Sequence, residues 1–230
     1  MPDVLSPPAP PALSHTIADD DSSELDALHQ PVPGPAETLH DLLAQRRSIR
    51  RLHHGPFPPE AQQRLLAAVR LTPASYNLPP WRVVLVHERR DDLWAEVAAG
   101  FEETLAGDRL ARYLDRLEGF AGGAAVALVF ADRDVERILH QEKGLAAAVA
   151  ASYVQQALGM VQFALWLAVT AEGLAASLQH WDEFVGPRLA RFAGLPAAQF
   201  PLIATMPIGY PAEAPQPIAR VDSGWTTTGE

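Results

Sequence analysis

The chain contains no cysteine, which excludes disulfides, thiolate metal sites and a cysteine nucleophile together. That fits a reducing cytoplasm, the location expected here. Common catalytic signatures are missing too. There is no Gly-rich dinucleotide loop, no phosphate loop ending in Lys-Ser/Thr, no His-Glu-x-x-His helix and no nucleophile elbow. His53 and His54 are adjacent, and neighbours on an extended chain point to opposite faces, so no metal is assigned. No basic start runs into an apolar stretch with a small-residue cleavage site, so no secretory signal is expected. Positive charge is scarce: 18 Lys and Arg stand against 28 Asp and Glu, for a net charge of −10. A general nucleic-acid binder needs a phosphate-neutralising surface, and this balance argues against one.

The acidity is concentrated at one end. Asp3, Asp19, Asp20, Asp21, Glu24, Asp26 and Glu37 precede any Lys or Arg, leaving about −3 for the rest. Residues 1–35 are also rich in Pro and Ser, from Pro7-Pro8-Ala9-Pro10-Pro11 to Pro31-Val32-Pro33-Gly34-Pro35. Such a segment buries too little apolar surface to offset its ordering entropy, so it reads as a disordered acidic tail ahead of a folded domain at 36–230. At 230 residues with 48% hydrophobic content, the chain can build one substantial core.

Order begins at Glu37, where Leu39, Leu42 and Leu43 recur at helical spacing. Pro58-Pro59-Glu60 opens a second helix that buries Leu65, Leu66 and Val69. Val83–Val86 and Ala124–Ala131 read as buried strands, with two helices between Asp91 and Glu118 broken near Gly107. Asp132-Arg133-Asp134 closes the second strand. Lys143 to Gly173 is long and apolar on nearly every side, through Val149, Val154, Leu158, Met160, Val161, Phe163, Leu165 and Trp166. A helix of that kind must be covered all round. Tyr153, Gln155, Gln156 and Gln162 in its middle, without flanking positive charge, argue against a membrane span. A second copy of the chain would supply the missing cover. Ala175-Ala176-Ser177-Leu178 then reads as a strand, Pro187–Ala193 as a helix and Pro201–Ile208 as a last core strand. Interleaved helices and strands of this kind give an α+β sandwich.

Three local features could carry chemistry. Arg46-Arg47-Ser48-Ile49-Arg50, at the end of the first helix, gathers three guanidinium groups and a hydroxyl, a set suited to a phosphate monoester. A basic helix end favoured by the macrodipole is the plainer alternative. Thr72 to Trp81 is a turn-rich loop ahead of a strand, and Asn77 within it offers the donor and acceptor that an imide edge would match. The plainer alternative is a structural turn with Trp81 plugging the core. Finally, Leu178, Gln179, His180 and Trp181 emerge together after the long helix, although a lone histidine is commonly structural.

Taken in order, these features resemble the nitroreductase superfamily. There, an Arg-Ser-x-Arg motif closes the first helix, a Pro-x-Ser-x-Asn-x-x-Pro-Trp loop precedes a strand, and a long interface helix follows. The resemblance covers Glu37 to Ala212. It is closest to a small fungal-type and bacterial branch, through Gln162-Phe163-Ala164-Leu165-Trp166, Glu172 to Trp181 and Met206-Pro207-Ile208-Gly209. It implies a three-layer α/β sandwich with a mixed central sheet and a buried dimer-interface helix. It also implies a homodimer with FMN at the interface. Arg46, Arg47, Ser48 and Arg50 would then meet the FMN phosphate, ribityl chain and pyrimidine edge. Ser75 and Asn77 would contact the flavin, in one arrangement across the dimer, and Leu178, Gln179 and His180 would line the ring. Asn77-Leu78-Pro79-Pro80-Trp81 replaces the common Asn-Ser-Gln-Pro-Trp, and the superfamily's C-terminal basic pair is reduced to Arg220. The implied activity is NADH- or NADPH-dependent reduction of nitroaromatics, quinones or similar small acceptors in a ping-pong hydride-transfer cycle. The FMN carries the chemistry, so no catalytic side chain is required. A flavin-binding stress or sensor protein without turnover, and a flavin-modifying or dehalogenating enzyme of the same fold, remain alternatives.

Overall fold

Five short strands supply the backbone of the molecule, and their apolar alternation explains where the helices lie. The computed structural model describes residues 35–218. The acidic segment at 1–34 and Arg220 lie outside the described residues. Helix α1 spans Pro35–Gln45, followed by β1 (Leu52–His53), α2 (Pro59–Leu71), a 3-10 turn (Ser75–Asn77) and β2 (Trp81–Val86). Helices α3 (Arg90–Thr104) and α4 (Gly107–Ala121) lead to β3 (Ala125–Ala131), α5 (Arg133–Gln141) and the long α6 (Ala147–Ala171). The chain closes with β4 (Ala175–Ala176), α7 (Asp182–Phe192) and β5 (Leu202–Pro211).

The sheet order is β1-β5-β3-β2, with β4 also paired to β5. Every ladder is antiparallel. The parallel component of the expected mixed sheet is an isolated bridge between Ser48 and Ala176. β3 is buried at every position, so its side chains feed two cores. Ala125, Ala127 and Val129 face one, with α2, α5 and α6. Val126, Leu128 and Phe130 face the other, with α3, α4 and α7. Helices on both sides of a sheet make the three-layer α+β sandwich.

Two expectations need correction. A helix, α5, follows where the sequence suggested only a strand end: the Asp132 side chain caps it by accepting from the Asp134 N–H at 3.1 Å. Its burial rests on just Val135 and Leu139, too short a pattern to announce a helix. Helix α7 starts at Asp182, five residues before Pro187, which sits inside it. Burial of Val185 and Leu189 on either side outweighs the hydrogen bond that proline cannot donate.

Helix α6 explains its own unusual composition. Val154, Leu158, Val161 and Leu165 pack on the sheet, while Met160 is 42% exposed and Phe163 44%. The described chain therefore covers one side of it. By length and composition α6 could cross a membrane, yet its inner stripe is fully engaged with the core.

Candidate functional site

The basic segment is held in place through its backbone. The Arg46 N–H makes the last helical bond of α1, to Leu42 O at 2.9 Å. The chain then extends, and the Ile49 N–H donates to Ala176 O at 3.2 Å. Extended geometry alternates faces: Ile49 is buried, while Ser48 and Arg50 are both exposed. Next, the N–H groups of Arg50 and Arg51 both donate to Glu213 Oε1, at 2.9 and 3.2 Å. Helix α4 backs this stretch closely. A Cβ on Gly119 would stand 2.8 Å from Arg50 O, and one on Gly122 would stand 2.4 Å from Leu52 O. Only glycine permits that approach.

Side-chain charges divide by partner. Arg51 pairs with Asp115 at 3.8 Å. Among the described residues, Arg47 and Arg50 have no carboxylate partner. Arg46 is half-buried and its Cζ lies 4.4 Å from the centre of the Trp166 ring on α6. The Trp166 Nε1–H is buried without an acceptor among the described residues. Arg47 and Ile49 line a cavity of about 190 Å³ with Thr170, Gly173, Leu174 and Ala175. Small-molecule sites are roughly 300–1,000 Å³, so this cavity is smaller than most of them.

The segment after α6 reaches the same place by a defined turn. Gly173 is left-handed at φ +70°. Leu174 N donates to Val169 O at 3.1 Å and Gly173 N to Thr170 O at 3.0 Å, the paired bonds of a Schellman ending. Glu172, at that corner, takes a two-pronged bond from Arg64 at 2.6 and 2.7 Å. That bond, ahead of the charge attraction, holds the Glu172 carboxyl below the usual carboxylate range. Beyond β4, Gln179 and Thr205 exchange backbone hydrogen bonds at 2.9 Å each way. The Gln179 Nε2 donates to Ser177 Oγ at 3.0 Å, which fixes the amide beside a buried hydroxyl. Leu178 is half-buried against the α6 core, and His180 is exposed. Trp181, expected to emerge with them, turns inward instead. It is 3% exposed and meets Phe101 at 5.2 Å and Phe120 at 5.7 Å, because its large apolar ring completes the opposite core.

The third feature stands apart. Tyr76 and Asn77 have φ of 57° and 53°, a left-handed conformation that costs non-glycine residues roughly 1–2 kcal/mol each. The turn closes on itself through Asn77 N to Ala74 O at 3.0 Å and Leu78 N to Ser75 O at 3.1 Å. Ser75 is half-buried and Asn77 exposed. No described hydrogen bond or ion pair joins either to the basic segment. Thus one chain brings Ser48 and Ile49 together with Ala176, and no described contact joins them to Ser75 or Asn77. Sequence reasoning missed Trp166, Glu213 and the Gly119/Gly122 seam as parts of this site. The three-residue spacing of the glycines was the one available signal, since it places both on one helix face. The arrangement offers the Arg47 and Arg50 guanidinium groups, without carboxylate partners among the described residues, and the exposed Ser48 hydroxyl, a set that fits a phosphate-bearing ligand with several acceptors.

Comparison with known proteins gives a consistent picture. The sequence profile of the nitroreductase family matches residues 43–210. HBN1 of Saccharomyces cerevisiae, named as a nitroreductase, is 28% identical over 118 residues. That match covers 51% of this chain and 58% of the yeast protein, so the chain spans little more than half of that relative. The nitroreductase CinD of Lactococcus lactis, solved with chloramphenicol, superposes with a TM-score of 0.71 at 24% identity, over 80% of this chain and 95% of that one. The FMN-dependent nitroreductase NfnB of Mycobacterium smegmatis, solved with NADPH, superposes with a TM-score of 0.60 at 20% identity, over 77% and 89%. At these identities the likeness establishes the fold.

Proposed function

Because the chain belongs to the nitroreductase family, we propose that it is an FMN-dependent oxidoreductase that takes reducing equivalents from NADH or NADPH. The acceptors proposed are nitroaromatics, quinones or similar small molecules. The observation that carries this reading is the basic segment itself: Arg47 and Arg50, without carboxylate partners among the described residues, beside Ser48 and the stacked Arg46. Guanidinium groups left unpaired in a chain with excess carboxylates suit an anionic ligand. FMN-dependence in NfnB agrees with that chemistry.

When bound, FMN supplies the hydride-accepting and hydride-donating centre. The chain's own residues do the rest. Arg46, Arg47, Ser48 and Arg50 hold the phosphate and the adjoining chain. Gln179, oriented by Ser177, offers its amide to the ring, with Leu178 as an apolar wall and His180 at the rim. Arg220 is proposed as a further phosphate contact. The turn carrying Ser75 and Asn77 reaches the site from a second copy, which explains its separation within one chain. The exposed Met160 and Phe163 of α6 form part of the surface that pairs the two copies. The cysteine-free chain is proposed to work in the cytoplasm, with residues 1–35 as an appended acidic tail.

Steady-state oxidation of NADH and NADPH by the FMN-loaded protein, with and without an added quinone, tests the activity. Acceptor-dependent turnover with either donor is the expected result. Retention of FMN with no turnover would establish instead a flavin-binding protein without catalysis.

A further inference from the structure

We propose that Trp166 is the positioning residue for Arg46, holding its guanidinium flat on the indole so that the group meets the cofactor phosphate already oriented. The inference rests on the FMN reading above. Its starting point is geometric. Arg46 is the first residue past α1, where side chains ordinarily sample many rotamers, yet its Cζ stands 4.4 Å from the Trp166 ring centre. That is well inside the roughly 6 Å range of a cation over an aromatic face, and tryptophan offers the strongest such face.

The platform is itself rigid. Trp166 sits on α6 between Leu165, which is 2% exposed, and the core neighbours of Val169 at 0%. Its ring packs against the same core as Val161 and Leu165. Its carbonyl accepts from Thr170 Oγ1 at 3.0 Å. A partly buried ring packed against a well-filled core has few rotamers to exchange, so a cation seated on it inherits that fixity. The Nε1–H remains buried without an acceptor among the described residues. A buried indole usually finds a hydrogen-bond partner for its N–H, so burial here favours presentation of the ring face over use of its polar edge. α1 and α6 are far apart in sequence, and this contact ties the phosphate-binding segment to the helix whose outer side carries Met160 and Phe163.

The affinities of FMN and riboflavin for the full-length apo-protein, measured by flavin fluorescence quenching, test the proposal. Riboflavin lacks the phosphate, so the ratio of the two affinities reports the phosphate contact alone. Arg46→Ala should weaken FMN by roughly 10- to 150-fold and leave riboflavin nearly unchanged. Trp166→Leu should weaken FMN in the same selective way by roughly 2- to 30-fold. Trp166→Phe, which keeps an aromatic face, should recover most of that loss. If Trp166→Leu does not fold, Trp166→Met, with its adaptable apolar side chain, replaces it in the comparison. Loss of FMN selectivity in Arg46→Ala with none in Trp166→Leu or Trp166→Met would overturn the positioning role and leave the phosphate reading standing. Equal loss of FMN and riboflavin in the Trp166 variants would also overturn it, because that marks general disruption of the site. No selective loss even in Arg46→Ala would instead remove the phosphate assignment on which the inference rests.

Discussion

On one side of the sheet, Phe101, Phe120, Val185 and Leu189 have no exposed surface, and Trp94 and Trp181 retain 5% and 3%. On the other side, α6 buries its inner stripe as completely but leaves Met160 and Phe163 more than two-fifths exposed. Both layers bury an apolar stripe against the sheet, so the difference is one of cover. The arginines divide in the same way. Arg188, in the closed layer, is held by Glu96 at 2.7 Å and by Glu103, while Arg47, which lines a cavity with Thr170 of α6, has no carboxylate partner among the described residues. The closed layer is finished by its own chain; the open one presents an apolar face beside Arg47, as expected of a surface completed by a second copy and a ligand.

That contrast can be broken from either side. In the closed layer, Phe101 touches Tyr113, Trp181 and Phe184 edge-on, at 5.1, 5.2 and 6.1 Å between ring centres. Phe101→Ala should cost about 3–5 kcal/mol of stability, read from denaturant unfolding. In the open layer, Phe163→Glu should leave secondary structure intact and raise the dimer dissociation constant at least ~10-fold. Each of two symmetric copies loses the exposed two-fifths of the roughly 1.5–3 kcal/mol that burying a phenylalanine supplies. Light scattering showing an unchanged tight dimer would remove α6's outer face from the interface.

The seam between α4 and the basic segment gives a smaller effect. Gly122→Ala places a Cβ 2.4 Å from Leu52 O, and backbone cannot step aside as a side chain can. A loss of about 1–3 kcal/mol is expected, accompanied by weaker FMN retention because the Arg46–Arg50 stretch must shift. Unchanged flavin binding in that variant would show that the seam does not position the segment.

The smallest effect concerns pH. The Arg64 guanidinium holds the Glu172 carboxyl below its usual range. A carboxylate lowered on folding adds stability above its unfolded value, near pH 4.3, and loses it as pH falls through the lowered folded value. Glu172→Gln should therefore lower Tm slightly at neutral pH and converge with the parent as pH falls through the lowered folded value. A constant difference across the range would deny the pair its pH dependence.

Much of the architecture was legible because it rests on periodicity. β2, β3 and the inner stripe of α6 follow apolar runs that any buried element of that length must show. The short α5 was not, since Val135 and Leu139 alone carry its burial and its start depends on one capping aspartate. Trp181 was misplaced because position in the chain cannot say which of two cores will take a ring. Within the site, Arg46 to Arg50 were visible as a cluster of like charges. The Trp166 face, the Glu213 carboxylate and the glycine seam act across large sequence separations, and no local pattern announces such contacts.

Whether this chain holds FMN as a redox group can be read from the absorption spectrum of the purified protein loaded with FMN, before and after NADH or NADPH is added under nitrogen. Flavin bands should stay with the protein through gel filtration and bleach when at least one of the two donors is added. A protein that takes up no FMN, or holds FMN that neither donor bleaches, would contradict the proposed function.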